Sequence, residues 1–246
     1  MRLTWKSFSI CKDGNNEEEN EDAVYPVLPN GNPLIQDTFK CAMADGATST
    51  SFSKLWANLV ASESIQSNNL QKDISSVLST SQKKWRAELS KKNLSWPAEI
   101  KVKQGAFCTL LWFRINSYHE WMACGVGDTC IFQIRKGWNV ISYPLTWSSQ
   151  FSNSAELISS NQLGCRAISS SPPMMDGWEK GDTFIIATDA LSEWFLRSIE
   201  KNEDAFQIIK NNTSSTILFK HWITAMRKKY LIKNDDTTLI WLNVDE

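Results

Sequence analysis

The sequence lacks the features that mark membrane, secreted and zinc-binding proteins. In 246 residues it has no apolar run near the roughly 20 residues that a bilayer crossing needs. Its first residues contain no apolar segment typical of a signal peptide, so we expect a cytoplasmic protein with no membrane partner. The six cysteines contain no CxxC pair, which favours buried free thiols over disulfides or a zinc site.

The sequence also has little net charge and few histidines. The formal net charge is −1, which gives no general attraction to nucleic acid. The two histidines, His119 and His221, do not adjoin an acidic motif, and we expect both on the surface or on a helix face. A loop at 13–21 is acidic, but Glu18 stands where an EF-hand needs Gly, so we expect a solvated loop rather than a calcium site.

Five short acidic motifs are the main feature that the sequence does contain. Three of them adjoin apolar, strand-like runs at 39–44, 183–187 and 239–244. Carboxylates at strand ends can converge in space, where they repel one another unless a cation lies among them. Hard oxygen ligands suit Mg²⁺ or Mn²⁺, so the set predicts a divalent-metal site. The motifs are Asn20-Glu21-Asp22, Asp45-Gly46, Gly127-Asp128-Thr129, Asp189 and Asp235-Asp236.

Each motif taken singly also has a purely structural explanation. Asp is common in turns and helix caps, and Asp128 in its Gly-rich turn fits that explanation as well as it fits a ligand role. The ordered set of Asp22, Asp45, Asp189 and Asp235 favours the metal site.

The order of segments predicts a layered α+β fold. Further strands are expected at 106–115, 120–126 and 129–134, with helices over 70–89, 191–209 and 215–230 and another that begins at Ser53 as N-cap. Groups of strands separated by helix pairs favour two sheets with helices outside them. No repeat or linker divides the chain, so we predict one domain over 1–246. A Ser-, Asn- and Pro-rich stretch at about 144–173 predicts a functional flap.

In this order the motifs resemble those of the metal-dependent Ser/Thr protein phosphatases of type 2C, from Asn20 to about Val244. The second motif begins Asp-Gly-Ala, which is similar to a short, divergent bacterial branch of that family. The resemblance implies a four-layer αββα sandwich of two mostly antiparallel sheets flanked by helices. It also implies two bound Mn²⁺ or Mg²⁺ ions, with a third, weaker ion in some members.

The resemblance further implies a role for each acidic residue. Asp45 would bridge both ions, the Gly46 carbonyl would bind the second, and Asp189 and Asp235 would complete the shell of the first. Asp22 and Glu21 would act through metal-bound water, and Asp128 would help to hold a third ion. Water bridging the two ions would then attack phosphorus directly, without a phosphoenzyme.

Three positions depart from the family pattern. Glu17 stands where many members place an Arg that clamps the substrate phosphate, and Lys12 or Arg166 are the basic residues that could replace it. Ala47 stands where some members place a His proposed as general acid. Ala190 follows Asp189 in place of the usual Gly.

The first functional hypothesis is a phosphatase that acts on phosphoserine or phosphothreonine of a protein partner, such as a cognate Ser/Thr kinase or its substrate. The alternative is a catalytically weak or inactive phosphatase-like module that recognises a partner protein, which Glu17 and the twelve tryptophans motivate. A third hypothesis is a phosphoesterase that acts on a small molecule. The cysteines are not expected to act as nucleophiles in any of these.

Overall fold

The computed structural model describes residues 1–151, 155–161 and 172–245. The strands are β1 (Arg2–Ile10), β2 (Ala23–Tyr25), β3 (Pro33–Ile35), β4 (Thr38–Ala44), β5 (Phe107–Cys108), β6 (Leu110–Asn116), β7 (Glu120–Val126), β8 (Cys130–Arg135), β9 (Asn139–Tyr143), β10 (Ile158–Ser159), β11 (Met174–Gly177), β12 (Thr183–Ala187) and β13 (Thr237–Val244). The helices are α1 (Ser53–Ser64), α2 (Leu70–Ser90), α3 (Trp96–Gln104), α4 (Asp189–Glu200), α5 (Ala205–Asn212) and α6 (Thr216–Lys228). Short 3₁₀ helices lie at Glu17–Glu19 and Ser148–Gln150.

Two antiparallel sheets form the centre of the molecule. One has the strand order β3-β1-β13-β12-β8-β9 and the other the order β11-β7-β6-β4-β2. A short pair, β10-β5, lies beside them. The described ladders between these strands are antiparallel, as the α+β prediction requires.

Three apolar cores separate four layers. The middle core joins the inner faces of the two sheets, and Trp5, Met43 and Phe184 are completely buried there. A second core joins the five-stranded sheet to α1 and α2, and a third joins the six-stranded sheet to α4, α5 and α6. Strands buried on both faces read as continuous apolar runs, which is why 183–187 has no polar alternation. The predicted αββα sandwich is confirmed.

The start of α1 differs from the prediction. Ser53 is the first helical residue, and Phe52, in a left-handed conformation with φ of 64°, stands at the N-cap. The Ser53 hydroxyl donates to the Glu21 carboxylate, and the N-cap of α1 has no side-chain hydrogen bond to the helix N–H groups. The prediction of Ser53 as N-cap was wrong because a partner 32 residues away competes for that hydroxyl.

Two other boundaries differ for local reasons. The run at 106–115 is two strands, because Cys108 pairs with Ile158 in the small sheet while Leu110 pairs with Val126. The predicted helix at 191–209 breaks after α4, where Asn202 adopts a positive φ of 59° and Asp204 caps α5 by accepting from the Gln207 N–H.

The region between α2 and β5 holds a helix that periodicity did not indicate. α3 has Pro97 in its first turn, where a missing N–H costs nothing, and Gly105 follows it with φ of 87°. Its apolar residues are too few to mark a buried face, and none of its side chains is buried.

The predicted flap lies partly outside the described residues, at 152–154 and 162–171. Its described portion contributes β10, whose two residues pair with β5. Arg166 and Cys165 lie outside the described residues. The five described cysteines are free thiols, and both histidines are exposed, as predicted. Among the described helices, none combines the length and apolar character that a membrane crossing requires.

Candidate active site

The acidic motifs meet at one end of the sandwich because the strand registers bring their flanking residues together. Ala44, before Asp45, pairs with Ala23, after Asp22. Ala187, two residues before Asp189, pairs on its two sides with Leu239 and Cys130. Asp235 precedes β13, whose first residue Thr237 pairs with Ile10, and Asp128 lies in the turn from β7 to β8. Their placement at a common sheet end agrees with the sequence argument.

Asp22 is the carboxylate of this group that has a buried oxygen without a hydrogen-bond partner. Its Oδ2 accepts from the Thr188 hydroxyl at 3.4 Å, whereas its Oδ1 is buried without a hydrogen-bond partner. Burial raises the pKa of Asp22 well above its usual range, and the charges of Asp236, Asp189 and Asp235 raise it further. A buried, unpartnered carboxylate oxygen is costly in a protein unless a ligand or cation satisfies it.

Asp45 has the same electrostatic environment as Asp22. Burial raises the pKa of the Asp45 carboxyl, and its carboxylate neighbours, first among them Asp22 and then Asp189, add to the increase. Its backbone is fixed on both sides, because the Asp45 N–H donates to the Thr109 hydroxyl and the Thr109 N–H donates to the Asp45 carbonyl. That hydroxyl also hydrogen-bonds Thr129 at 2.7 Å, which joins the Asp45 loop to the Asp128 turn.

Asp189 opens α4, and its Oδ1 accepts from the Ala190 N–H at 2.6 Å. Burial raises the pKa of Asp189 to about 7, with Asp128 and Asp235 contributing, while the Lys233 ammonium opposes the increase. Burial likewise raises the pKa of Asp128, again against the effect of Lys233. Lys233 is held by an ion pair with Glu193 at 2.9 Å, and the acidic-motif pattern gave no sign of it.

Asp236, which the sequence analysis named without a role of its own, and Arg227, which it did not name, are structural residues of the site. Asp236 is buried, and its two oxygens accept the backbone N–H groups of Lys12 and Glu21 at 2.8 and 2.7 Å. Arg227 is buried too and donates to the carbonyls of Cys11 and Asp235. Although Arg227 stands in the last turn of α6, its guanidinium hydrogen-bonds the backbone of the loops at Cys11 and Asp235.

Gly46 is a glycine because no space exists for a side chain. A Cβ there would lie 3.0 Å from the Glu21 carbonyl oxygen and from the Ser53 carbonyl carbon, both of which are backbone atoms. Replacing Gly46 by Ala is therefore expected to lower the free energy of unfolding by about 1–3 kcal/mol. Urea melts would measure this loss, and Gly31→Ala, where the Cβ meets no atom within 4 Å, tests a positive-φ glycine without crowding. Equal losses in the two variants would contradict the steric argument.

Cysteine chemistry has no support at this site. Cys108 and Arg114 have the Cys-x5-Arg spacing of cysteine-dependent phosphatases, but they lie along β5 and β6 rather than around a phosphate-binding loop. Burial, with a smaller effect of Asp45, raises the pKa of the Cys108 thiol well above its usual value. A thiol held neutral in this way is a poor nucleophile.

The carboxylates are electrostatic neighbours, but their side chains do not form a closed coordination shell. Within the described ranges, no group of three or more His, Cys, Asp and Glu side chains is arranged to hold a metal ion. The donors nevertheless suit a hard divalent cation, because they are carboxylate oxygens and one of them, Asp22 Oδ1, is buried without a partner. The residues present therefore fit Mg²⁺ or Mn²⁺ in their chemistry.

Without added cations, the protein is expected to lose stability as the pH rises from about 4 to about 7. The pKa of Asp189 is about 7 in the folded chain, above the value of an unfolded Asp. In this range the folded state retains a proton that the unfolded chain has released, so stability is present at low pH and declines as pH increases. Thermal melts in EDTA from pH 4 to 8 would measure the slope. Asp189→Asn should flatten it, and an unchanged slope in that variant would contradict the assignment.

The family model described as Protein phosphatase 2C matches residues 15–228. No curated protein matches the chain by sequence.

Solved structures share the fold at low sequence identity. The serine/threonine phosphatase PstP/Ppp of Mycobacterium tuberculosis aligns with a TM-score of 0.61 and 14% identity, over 100% of both chains. RsbX in complex with magnesium aligns with a TM-score of 0.55 and 16% identity, over 99% of this chain and 96% of its own. The phosphatase domain of SpoIIE from Bacillus subtilis aligns with a TM-score of 0.52 and 14% identity, over 99% and 92%.

Proposed function

This chain belongs to the protein phosphatase 2C family, and we propose that it is a bacterial, divalent-metal-dependent phosphatase that hydrolyses phosphoserine or phosphothreonine in proteins. The observation that carries the proposal is the group of mutually repelling carboxylates, with the unpartnered Asp22 oxygen among them. Such a group is costly in a folded protein unless it binds cations. The loops that carry these carboxylates are held in place by other hydrogen bonds.

In this proposal the ions are held mainly by Asp45, Asp189 and Asp235, together with the Gly46 carbonyl. Asp22 and Glu21 contribute through water, and Asp128 serves a third ion where one binds. Bound Mn²⁺ or Mg²⁺ would make water a stronger nucleophile at neutral pH and offset the charge of the phosphoryl oxygens. Two proteins of similar fold, PstP in complex with two manganese ions and RsbX in complex with magnesium, support this choice of metals.

The chain's own contribution is to hold the carboxylates in place before the substrate arrives. Asp236 fixes the loop that carries Glu21, and Thr109 fixes Asp45. Arg227 binds the Asp235 carbonyl at 2.6 Å. A site whose ligands are already fixed loses little conformational freedom when it binds ions and a phosphoester.

Of the two basic residues that the sequence offered to bind the substrate phosphate in place of an Arg at position 17, Lys12 is the one that the structure describes, and it lies beside Glu21. Glu17 is exposed and forms an ion pair with Lys220, so it does not compete for that role. The Lys12 ammonium donates to Thr48 Oγ1 at 3.0 Å and lies 3.7 Å from Glu21 Oε2. It lines an open pocket of about 450 Å³.

Replacing Lys12 by Met is expected to raise KM for a phosphothreonine peptide by about tenfold, which corresponds to one charge-assisted hydrogen bond. The side chain keeps its length, so the loop should remain in place. Steady-state kinetics would measure the change, with Lys54→Met on the same pocket as the matched control. A KM equal to that of the wild type would remove Lys12 from the phosphate site.

The alternative function is a phosphatase-like module that binds a phosphorylated partner without turning it over. Glu17 motivates it, because a carboxylate stands where the family pattern has an Arg that clamps the phosphate. In the structure this carboxylate forms an ion pair with Lys220.

The deciding experiment is hydrolysis of p-nitrophenyl phosphate and of a phosphothreonine peptide, with Mn²⁺ and with EDTA. The proposal expects Mn²⁺-dependent turnover of both substrates, lost in Asp189→Ala. Metal binding seen by calorimetry without turnover would instead support the binding module and make Glu17→Arg the variant to examine. Turnover of p-nitrophenyl phosphate but not of the peptide would favour a small-molecule phosphoesterase.

A further inference from the structure

Helix α3 leads, through residues 105 and 106, into a strand that borders the candidate active site. It is followed by β5, and Cys108 of that strand forms a β-bridge with Gly46. Phe107 accepts the Ala47 N–H through its carbonyl and donates its own N–H to the Thr50 hydroxyl. The loop after Asp45 is therefore tied by hydrogen bonds to the segment that leaves α3.

The outer face of α3 exposes large apolar side chains to solvent. The exposed fraction is 74% for Trp96 and 37% for Ile100, which stands one helical turn later. Lys103 continues the same face after a further three residues. Val102, on another side of the helix, packs against the core of the five-stranded sheet. The orientation of α3 is thus set by Val102, and Trp96 and Ile100 have no role in that packing.

This helix and the end of α2 concentrate positive charge in a chain that is nearly neutral. Residues 83–103 contain seven Lys and Arg and two Glu, a net charge of +5, against −1 for the whole chain. Lys84 pairs with Glu63, Lys91 pairs with Glu88, and Lys92 lies over the Phe52 ring. Four other cations have no ion-pair partner within the described ranges: Lys83, Arg86, Lys101 and Lys103.

We propose that the exposed face of α3, with the free cations of residues 83–103, is a docking surface for an acidic segment of the phosphoprotein substrate. Charge complementarity selects an acidic partner, and Trp96 and Ile100 give it an apolar anchor. The identification of the partner as a substrate rests on the proposed function. Binding of an acidic segment to this surface does not require catalysis.

A protein segment fits this surface better than an anionic membrane. Helix α3 has nine residues, of which Trp96 and Ile100 are the large apolar side chains exposed. Stable binding of a helix to a lipid surface uses a longer apolar face. A short acidic stretch, in contrast, needs one or two anchors and a few cations close to the site where its phosphate is hydrolysed.

The test uses the full chain and two phosphothreonine peptides of equal length, one flanked by Glu and one flanked by Ser. The variant Lys83→Glu/Lys101→Glu/Lys103→Glu should raise KM for the Glu-flanked peptide by about tenfold, and leave KM for the Ser-flanked peptide and turnover of p-nitrophenyl phosphate unchanged. Trp96→Ala should weaken binding of the Glu-flanked peptide but leave the effect of salt on that binding unchanged, because the cations remain in place. The matched control is Lys180→Glu/Lys210→Glu/Lys229→Glu, three exposed lysines outside residues 83–103.

A second readout keeps this proposal separable from the phosphatase assignment. Fluorescence anisotropy of a labelled Glu-rich peptide without phosphate reports docking even if the protein has no activity. Binding that is lost in the Lys83/Lys101/Lys103 variant but kept in the control supports the docking surface whether or not phosphate is released. Equal binding by both variants would overturn it. Binding of vesicles rich in phosphatidylserine, lost in the same variant while peptide binding is not, would also overturn it in favour of a lipid surface.

Discussion

Asp45→Asn and Asp189→Asn are expected to lower kcat/KM for p-nitrophenyl phosphate by about 10³-fold or more, the scale of several kcal/mol that bound divalent ions supply. Both side chains belong to the group of carboxylates whose pKa values burial raises. An amide has the same shape as a carboxylate but lacks the negative charge that holds a divalent cation, so affinity for Mn²⁺ should also decrease.

The same substitutions should have the opposite effect on the metal-free protein. Burial is the larger cause of the raised pKa values, and repulsion among the carboxylates is the next. Removing one charge relieves both, so the melting temperature in EDTA is expected to rise. Turnover, calorimetric titration with Mn²⁺ and thermal melts in EDTA measure these effects. Asp37→Asn, an exposed Asp at the opposite end of β4, is the matched control. A variant with wild-type activity would contradict the site.

Replacing Arg227 by Met is expected to lower the free energy of unfolding by about 1–3 kcal/mol, the scale for buried acceptors that lose their hydrogen-bond donor. The guanidinium is buried and donates to Cys11 O, Asp235 O and Thr237 Oγ1 at 2.6 to 3.0 Å. A Met side chain fills a similar volume but donates to none of them, and the Asp235 carbonyl then retains the Thr237 hydroxyl as donor.

Arg227 should also affect metal affinity, because it acts as a positioning residue for the loop of Asp235. We expect Arg227→Met to weaken Mn²⁺ binding by about 10–100-fold, in the range of residues that orient metal ligands. Arg227→Lys should restore part of this affinity, whereas Lys228→Met, an exposed neighbour on α6, should change neither stability nor binding. Urea melts and calorimetry would measure both effects. Lower stability with unchanged Mn²⁺ affinity would reduce Arg227 to a purely structural residue.

The helices and strands with a clear apolar pattern could be predicted from the sequence, and so could the acidic residues proposed as metal ligands. Both predictions depend on local pattern. The apolar run at 183–187 is a strand buried on both faces, and Asp189 follows its end by two residues. The antiparallel registers then bring Asp22 beside Asp45 and Asp189 beside β13. The first step is local, whereas these strand pairings are contacts between distant segments that the local pattern does not specify.

The residues that hold the site together could not be found in this way. Arg227 contacts Cys11 from 216 positions away, and Asp236 contacts Lys12 from 224. In the sequence, Arg227 looks like any cation at the end of a helix, since burial of its guanidinium follows from tertiary packing. Thr109 gives no signal for a similar reason, because a Thr inside the predicted strand at 106–115 is expected from propensity alone, although it lies between β5 and β6.

The two sheets each supply part of the candidate site. Asp22 and Asp45 adjoin strands of the five-stranded sheet, Asp189 and Asp235 adjoin strands of the six-stranded sheet, and Asp128 lies where the chain passes from one to the other. Ions bound among them would join two layers whose facing surfaces are mainly apolar side chains. Such a cross-link opposes separation of the sheets, so saturating Mn²⁺ should slow global unfolding and protect the central strands of both sheets from amide exchange together.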